Sequence, residues 1–321
     1  ETAMSEARKR LLVTGFELEW ANPVLFFRGN DGNLFSTRPY SARELIRAPR
    51  PAAPGWWPET TEAAPPDMEY EAAEYQRLAT SRTPALVVYV IDTSASMAER
   101  TRSGTTRLDL VSDALRASIG TMIRRSLIGG TVSPRYRVAM FSYSEGTEDL
   151  LDGIRSIAEV ARNGIPRLQT GRATNAASAF IEVENLLHAE IPKIQEGPAP
   201  LVCHVTDGNF TGGDLRPYLK AIRGLRVEDG NVLVSTVLVT EQVLAQPIGQ
   251  IERWRGISSA TDLRPGYARV FEGSSEIPGS YRASIVEAGY DLAPRARMIF
   301  PAAYPEIMQL AVTLSAATRV A

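Results

Sequence analysis

The chain has 321 residues, of which 44% are hydrophobic and 22% are charged, proportions typical of a folded protein with an apolar core. Its 35 basic and 37 acidic residues give a net charge of −2, which argues against a dedicated nucleic-acid-binding protein. No apolar run reaches the roughly 18 residues that a membrane-spanning helix requires, and no block of like charge suggests binding to a membrane surface.

The N-terminal part of the chain is predicted to form a small β segment over residues 1–47. Short strand-like stretches there flank the turn-rich sequence of residues 29–33. Residues 1–3 precede Met4 and are interpreted as a cloning remnant. Residues 48–83 are rich in proline and are predicted to be a linker, whose tryptophan pair is expected to pack onto the main domain.

Residues 84–321 alternate apolar strands with amphipathic helices and are predicted to form one α/β domain. A helix begins where Thr106 and Asp109 resemble a capping box. Its apolar stripe consists of Leu108, Val111, Leu115 and Met122. The predicted strands are 85–91, 136–143, 201–205 and 231–240; the predicted helix is 174–188; and strand or helix signals lie at 268–271 and 305–314. This alternation predicts a mostly parallel sheet with helices on both faces.

Polar residues follow two of the apolar runs and open one helix, and these are the candidate site residues. In a parallel sheet, ligands bind at the carboxyl ends of the strands, so the three loops are expected to meet at one edge. The candidate metal ligands are Asp92, Ser94, Ser96, Thr174 and Asp207. A set of two carboxylates and three hydroxyls suits a hard divalent cation, Mg²⁺ first, with Mn²⁺ and Ca²⁺ as alternatives.

The pattern Asp92-x-Ser94-x-Ser96, then Thr174, then Thr206-Asp207-Gly208 resembles the metal-ion-dependent adhesion site of von Willebrand factor A domains. The resemblance covers roughly residues 84–245 well and the remainder weakly. It implies a six-stranded, mainly parallel sheet with one antiparallel edge strand. It also implies that a carboxylate of a bound protein partner completes the coordination of the metal, without enzymatic turnover.

Low cysteine content and the absence of an apparent leader favour a bacterial cytoplasmic module over an animal adhesion receptor. In bacterial proteins of this kind the domain accompanies kinases, phosphatases or AAA+ ATPases. By that resemblance the chain is expected to be a scaffold or regulator in a multi-protein system. The long polar stretch at residues 98–106 is expected to shape the choice of partner or to cover part of the metal.

Several alternatives remain open from the sequence alone. Thr170 could replace Thr174 as the threonine ligand, and Asp92 taken alone is a common turn residue after a strand. A phosphatase or phosphotransferase of the haloacid dehalogenase type also places an aspartate there. That class needs a second acid two residues later, where this chain has Ser94. A scaffold with a vestigial metal site is the third alternative.

The histidines and the cysteine are not interpreted as metal ligands. His204 and Cys203 lie in an apolar run and are predicted to be core residues, with the histidine hydrogen-bonded. His188 is predicted to interact with a helix dipole near a helix C-terminus.

Overall fold

The computed structural model describes residues 75–101, 104–208 and 213–321, all of which belong to the unit formed by residues 64–321. The predicted β segment at 1–47 and residues 48–74 of the predicted linker lie outside the described residues. The end of the predicted linker contacts the body of the domain. Tyr75 donates its backbone N–H to the carbonyl oxygen of Asp229 at 2.7 Å, and Ala79 forms a parallel bridge to Val320.

Strands and helices alternate through the described ranges. In chain order they are β1 (Ala85–Asp92), α1 (Arg107–Ser126), β2 (Leu127–Ile128), β3 (Thr131–Val132), β4 (Tyr136–Tyr143), β5 (Thr147–Asp149), β6 (Arg155–Ser156), α2 (Ile157–Asn163), α3 (Ala176–Glu190), β7 (Leu201–Thr206), α4 (Arg216–Gly224), β8 (Arg226–Val227), β9 (Gly230–Asn231), β10 (Leu233–Leu238), α5 (Ala268–Gly273), α6 (Gly279–Glu287), β11 (Ile299–Pro301) and α7 (Pro305–Ser315).

The central sheet is mostly parallel, as the sequence predicts, with the strand order β11-β10-β7-β1-β4-β5. The antiparallel edge consists of two short strands, because β5 and β6 both pair with β4. A turn separates them: Asp149 accepts hydrogen bonds from the backbone of Leu151 and Gly153, and Asp152 and Gly153 adopt positive φ angles of 54° and 90°. The chain leaves β4 at this turn and pairs with it again at β6.

The central strand β1 faces two separate cores because its side chains alternate between the two faces of the sheet. Val87, Tyr89 and Ile91 join one core, while Val88 and Val90 join the other. Helices α1 and α7 cover the first face, and α3 and α4 cover the second. All four residues of the predicted apolar stripe on α1 are buried, which confirms that prediction. None of the helices in the described ranges is both long and apolar enough to cross a membrane.

The bounds of β10 and α3 differ from the sequence prediction, and one ambiguous stretch is resolved. Strand β10 is shorter than the predicted 231–240, because Asn231 belongs to the β8–β9 hairpin. The ambiguous stretch 268–271 lies in a helix, α5. Helix α3 begins at Ala176 rather than at Thr174, because Asn175, with φ −122° and ψ 70°, is the non-helical residue that precedes it.

Candidate metal centre

The carboxyl ends of β1, β4 and β7 lie side by side at one edge of the sheet. Asp92, the last residue of β1, pairs with Tyr143 at the end of β4, and Ile91 pairs with Val205 of β7. Asp207 is the residue that directly follows β7. The strand register therefore brings two of the predicted ligands, 115 positions apart in the sequence, to the same edge.

Asp92 is fully buried, and its carboxylate is held by two hydrogen bonds. Oδ1 accepts from the backbone N–H of Ser94 at 2.9 Å, and Oδ2 accepts from the hydroxyl of Thr206 at 2.8 Å. Burial raises the pKa of Asp92, the nearby charge of Asp207 raises it further, and the hydrogen bonds from Ser94 and Thr206 oppose the increase. A buried carboxylate of this kind has a charge that a bound cation would compensate.

The hydroxyls of Ser94 and Ser96 converge beside Asp92. Their Oγ atoms are 3.1 Å apart, and Ser94 is buried while Ser96 is half-buried. A 3₁₀ turn over Ala95–Ala98 places both serines on the same side, with the buried Met97 as its apolar anchor. Adjacent ligands of an octahedral Mg²⁺ with bonds of about 2.1 Å lie about 3.0 Å apart. The spacing of the two hydroxyls therefore fits a magnesium ion.

The donor set is made of carboxylate and hydroxyl oxygens. The described part of the chain contains no cluster of three or more His, Cys, Asp and Glu side chains. Serine and threonine hydroxyls would therefore have to supply a large share of the ligands beside Asp92 and Asp207. Such a set fits Mg²⁺ and does not fit a thiolate- or imidazole-bound metal.

The loop that carries Thr174 is fastened to the same edge of the sheet. Gly171 donates its N–H to the carbonyl oxygen of Thr93 at 2.7 Å, and Asn175 donates its N–H to the carbonyl oxygen of Ser144 at 2.8 Å. A Cβ atom at Gly171 would lie 2.3 Å from the hydroxyl oxygen of Ser144, so only glycine allows this close approach. These contacts bring the loop to β1 and β4.

The threonine ligand stays open between two residues. Thr174 is half-buried, and Thr170 is exposed. No hydrogen bond within the described residues joins Thr174 to the other four predicted ligands. Thr170 lines a polar cavity of about 420 Å³ between this loop and the β4–β5 turn, next to Thr93. The structure thus brings Asp92, Ser94, Ser96 and Asp207 together and leaves the threonine as a prediction.

Arg107 is a residue of the site that the sequence analysis did not identify. Its Nη1 donates to Asp207 Oδ2 at 3.1 Å and to the carbonyl oxygen of Ser96 at 3.0 Å, and it lies 2.9 Å from Glu99 Oε2. Arg107 is the first residue of α1, and the sequence pattern there indicates only the start of a helix. Its contact with Asp207 spans 100 positions and has no local signal.

A buried hydrogen bond between β4 and β7 lies close to the candidate site. Tyr143 and the Nε2 atom of His204 are joined by a hydrogen bond of 2.8 Å, and Phe180 of α3 packs edge-on against the imidazole. The prediction that His204 is a hydrogen-bonded core residue is confirmed. Cys203 is a small buried residue, as predicted, and burial raises the pKa of its thiol to about 12.

The buried imidazole predicts a pH dependence of stability. Burial lowers the pKa of His204 from 6.5 to about 3, so the unfolded chain takes up a proton before the folded protein does. The stability that the neutral imidazole of His204 contributes is complete above pH 6.5 and is lost as the pH falls toward 3. Between pH 7 and pH 5 we expect the wild-type protein to lose about 2 kcal/mol more of its free energy of unfolding than His204→Gln does.

Urea unfolding at both pH values, in the presence of EDTA, measures this difference between the two proteins. Glutamine keeps a hydrogen-bonding side chain near Tyr143 but cannot take up a proton. Parallel pH profiles for the wild type and His204→Gln would show that His204 is not buried in its neutral form.

Comparison with protein families gives one match. Residues 87–209 match the family described as von Willebrand factor type A domain. The matched range begins in β1 and ends beyond Asp207, so that it includes all five predicted ligands. A search of curated proteins found no match.

Solved structures with similarity to this chain include two from Bacteroides. BatB from Bacteroides thetaiotaomicron is 18% identical, and the match covers 48% of this chain and 65% of that chain with a TM-score of 0.34. An aerotolerance-related membrane protein from Bacteroides fragilis is 15% identical, with 63% and 97% covered and a TM-score of 0.38. Proximal thread matrix protein 1 from the mussel byssus, described with a zinc-occupied metal-ion-dependent adhesion site, is 13% identical, with 50% and 37% covered and a TM-score of 0.33.

Proposed function

We propose that residues 87–209, as a von Willebrand factor A domain, bind a divalent cation through Asp92, Ser94, Ser96, Thr174 and Asp207. Mg²⁺ is the preferred ion, and Mn²⁺ and Ca²⁺ are the alternatives. The observation that carries the proposal is the convergence of two buried carboxylates with two hydroxyls 3.1 Å apart at the carboxyl edge of the sheet. The family match covers the same residues and supports the same site.

The proposed activity is metal-assisted recognition of a protein partner. A bound cation would supply a positive centre for a carboxylate of the partner. Asp92 and Asp207 balance part of that positive charge, and the backbone N–H of Ser94 holds the carboxylate of Asp92 in place. The polar cavity beside Thr93 and Thr170 would receive the partner residues that flank the carboxylate.

The wider setting of the proposal is a bacterial cytoplasmic scaffold or regulator that works with a kinase, a phosphatase or an AAA+ ATPase. This part is supported by the resemblance of the motif and by the single buried cysteine, which cannot form a disulfide within the chain.

The proposal excludes turnover. Ser94 stands where a haloacid dehalogenase-type enzyme would need its second acid, and its backbone N–H is bonded to Asp92. A hydroxyl there has no acidic proton to give to a leaving group at neutral pH. Mg²⁺-dependent hydrolysis of a generic phosphatase substrate, lost in Asp92→Asn, would support the enzyme alternative instead.

The experiment that tests recognition is capture of partners by the immobilised full chain in Mg²⁺ and in EDTA. We expect wild-type protein to retain partner proteins in Mg²⁺ and to release them on chelation. We also expect Asp92→Asn to retain none of the EDTA-released set. Asp113→Asn, at a carboxylate whose side chain is 72% exposed on α1, is the matched control and should behave like wild type.

Retention of the same proteins by Asp92→Asn, or equal retention by the wild type in Mg²⁺ and in EDTA, would contradict metal-assisted recognition. That result would favour a scaffold with a vestigial metal site.

A further inference from the structure

Arg107 and a divalent cation would compete for the same oxygen atom. The guanidinium Nη1 lies 3.1 Å from Asp207 Oδ2, and the side chain of Asp207 is 3% exposed. Arg107 is itself 17% exposed, so water screens this pair only partly. A cation coordinated by Asp207 would stand next to a fixed positive charge, and one of the two must then give way.

The position of Arg107 at the start of its helix is electrostatically unfavourable for a basic residue. Arg107 is the first residue of α1, where the positive end of the helix dipole disfavours a cationic side chain and favours an acidic one. The cost is offset by two carboxylates from outside the helix, Asp207 and Glu99. The helix dipole therefore disfavours a basic residue at this position, and the tertiary contacts with Asp207 and Glu99 stabilise it.

Glu99 offers the guanidinium a second place to bind. Its Oε2 is 2.9 Å from Arg107 Nη1, and its side chain is 62% exposed. The two residues are also joined through the backbone, because Arg107 donates its N–H to the carbonyl oxygen of Glu99 at 3.0 Å. The arginine can therefore release Asp207 and keep an ion pair with Glu99 at the surface.

We propose that Arg107 is an internal cation that competes with the divalent metal for Asp207, and that it keeps only Glu99 as its carboxylate partner when the metal binds. The inference rests on the proposed metal site and assigns its regulation. The arginine stabilises the metal-free protein by neutralising a buried carboxylate, and it lowers the affinity for the metal by the same contact. The site then responds to a concentration of Mg²⁺ that the Arg107–Asp207 pair determines.

The test is titration of Mg²⁺ into the metal-stripped full chain, followed by calorimetry and by thermal melting. Arg107→Gln should tighten the binding of Mg²⁺ about tenfold, because the competitor is gone. Glu99→Gln should weaken it a few-fold, because the arginine loses its alternative partner. Arg172→Gln removes an equal charge from the Thr174 loop without touching Asp207, and should change the affinity less than twofold.

A second readout does not depend on affinity. In EDTA we expect Arg107→Gln to melt below the wild type, because Asp207 loses its cation. In saturating Mg²⁺ that deficit should shrink, since the metal then occupies the position in both proteins.

The outcomes separate this inference from the proposed function. If the wild type responds to Mg²⁺, Asp92→Asn does not, and Arg107→Gln binds as the wild type or more weakly, the metal site stands and the competition is wrong. An equal gain in Arg172→Gln would show a general charge effect and would also overturn the competition. If no protein, including Arg107→Gln, responds to the metal, both proposals fail; a response in Arg107→Gln alone supports both.

Discussion

Asp92→Asn is expected to abolish the rise in melting temperature that we expect Mg²⁺ to give the wild-type protein, and to leave the chelated protein at least as stable as the wild type. Burial raises the pKa of Asp92, which means that its negative charge destabilises the folded state when no cation is bound. Asparagine removes this charge and keeps the shape of the side chain. The same change removes the charged oxygen of a proposed metal ligand.

The hydrogen bonds around Asp92 can accommodate the amide. Oδ1 can still accept from the N–H of Ser94. The new NH₂ group then faces the hydroxyl oxygen of Thr206, which can accept because it now accepts only from the N–H of Gly208 and donates to Asp92. The Thr206 hydroxyl then loses the acceptor of its own proton, which offsets part of the gain from removing the buried charge, and we expect the variant to fold.

Thermal melting in EDTA and in Mg²⁺ measures both effects. Mg²⁺ at about 100 times its Kd stabilises a protein by about 2.7 kcal/mol. In a domain of this size that corresponds to an increase of about 5–10 °C in Tm. A wild-type Tm that does not respond to Mg²⁺, or an equal response in Asp92→Asn, would remove Asp92 from the metal site.

Asp229→Ala is expected to lower the free energy of unfolding by about 3–5 kcal/mol, the largest loss we expect from a single change outside the metal centre. Asp229 is 5% exposed. It accepts hydrogen bonds from the backbone N–H groups of Gln76, Arg77 and Ala199 at 2.9, 2.9 and 3.0 Å. Alanine leaves these donors without their acceptor and releases the stretch that leads into β1.

Glu228→Ala is the matched control, because Glu228 is the adjacent acid. Its side chain is 55% exposed and pairs with Arg77 at the surface, where an ion pair contributes little. Urea unfolding should show a change within about 0.5 kcal/mol for Glu228→Ala. Equal losses in the two variants would mean that the buried hydrogen bonds of Asp229 do not stabilise the domain.

The strands that position the candidate metal centre could be predicted because they are buried on both faces. A run such as 85–91 shows no alternation, which is typical of a parallel strand covered by helices on both sides, and β1 and β4 appear where the sequence placed them. The ends of elements were less predictable. Helix α3 begins after Thr174 because the backbone of Asn175 is tied to Ser144, which is a contact made only in the folded chain.

The electrostatics of the candidate site could not be predicted from the sequence. Asp92 and Asp207 could be found because each follows an apolar run at the same end of the sheet. Arg107 could not, because the pattern around it describes only a helix start and its carboxylate partner lies 100 positions away. The role of Thr206 as donor to Asp92 likewise depends on the pairing of β1 with β7.

The enclosure of β1 by a strand on each side and by a helical layer on each face has a consequence for how ligand selectivity can change. Asp92 is the end of a strand that is paired on both sides and covered on both faces, so the entropy of ordering its carboxylate is lost during folding and not again during association. Because the carboxylate of Asp92 is pre-organised, a change in ligand preference has to come from the surrounding loops. Engineering of a different ligand preference should therefore begin in the segments 95–106 and 164–175 and leave the strand itself unchanged.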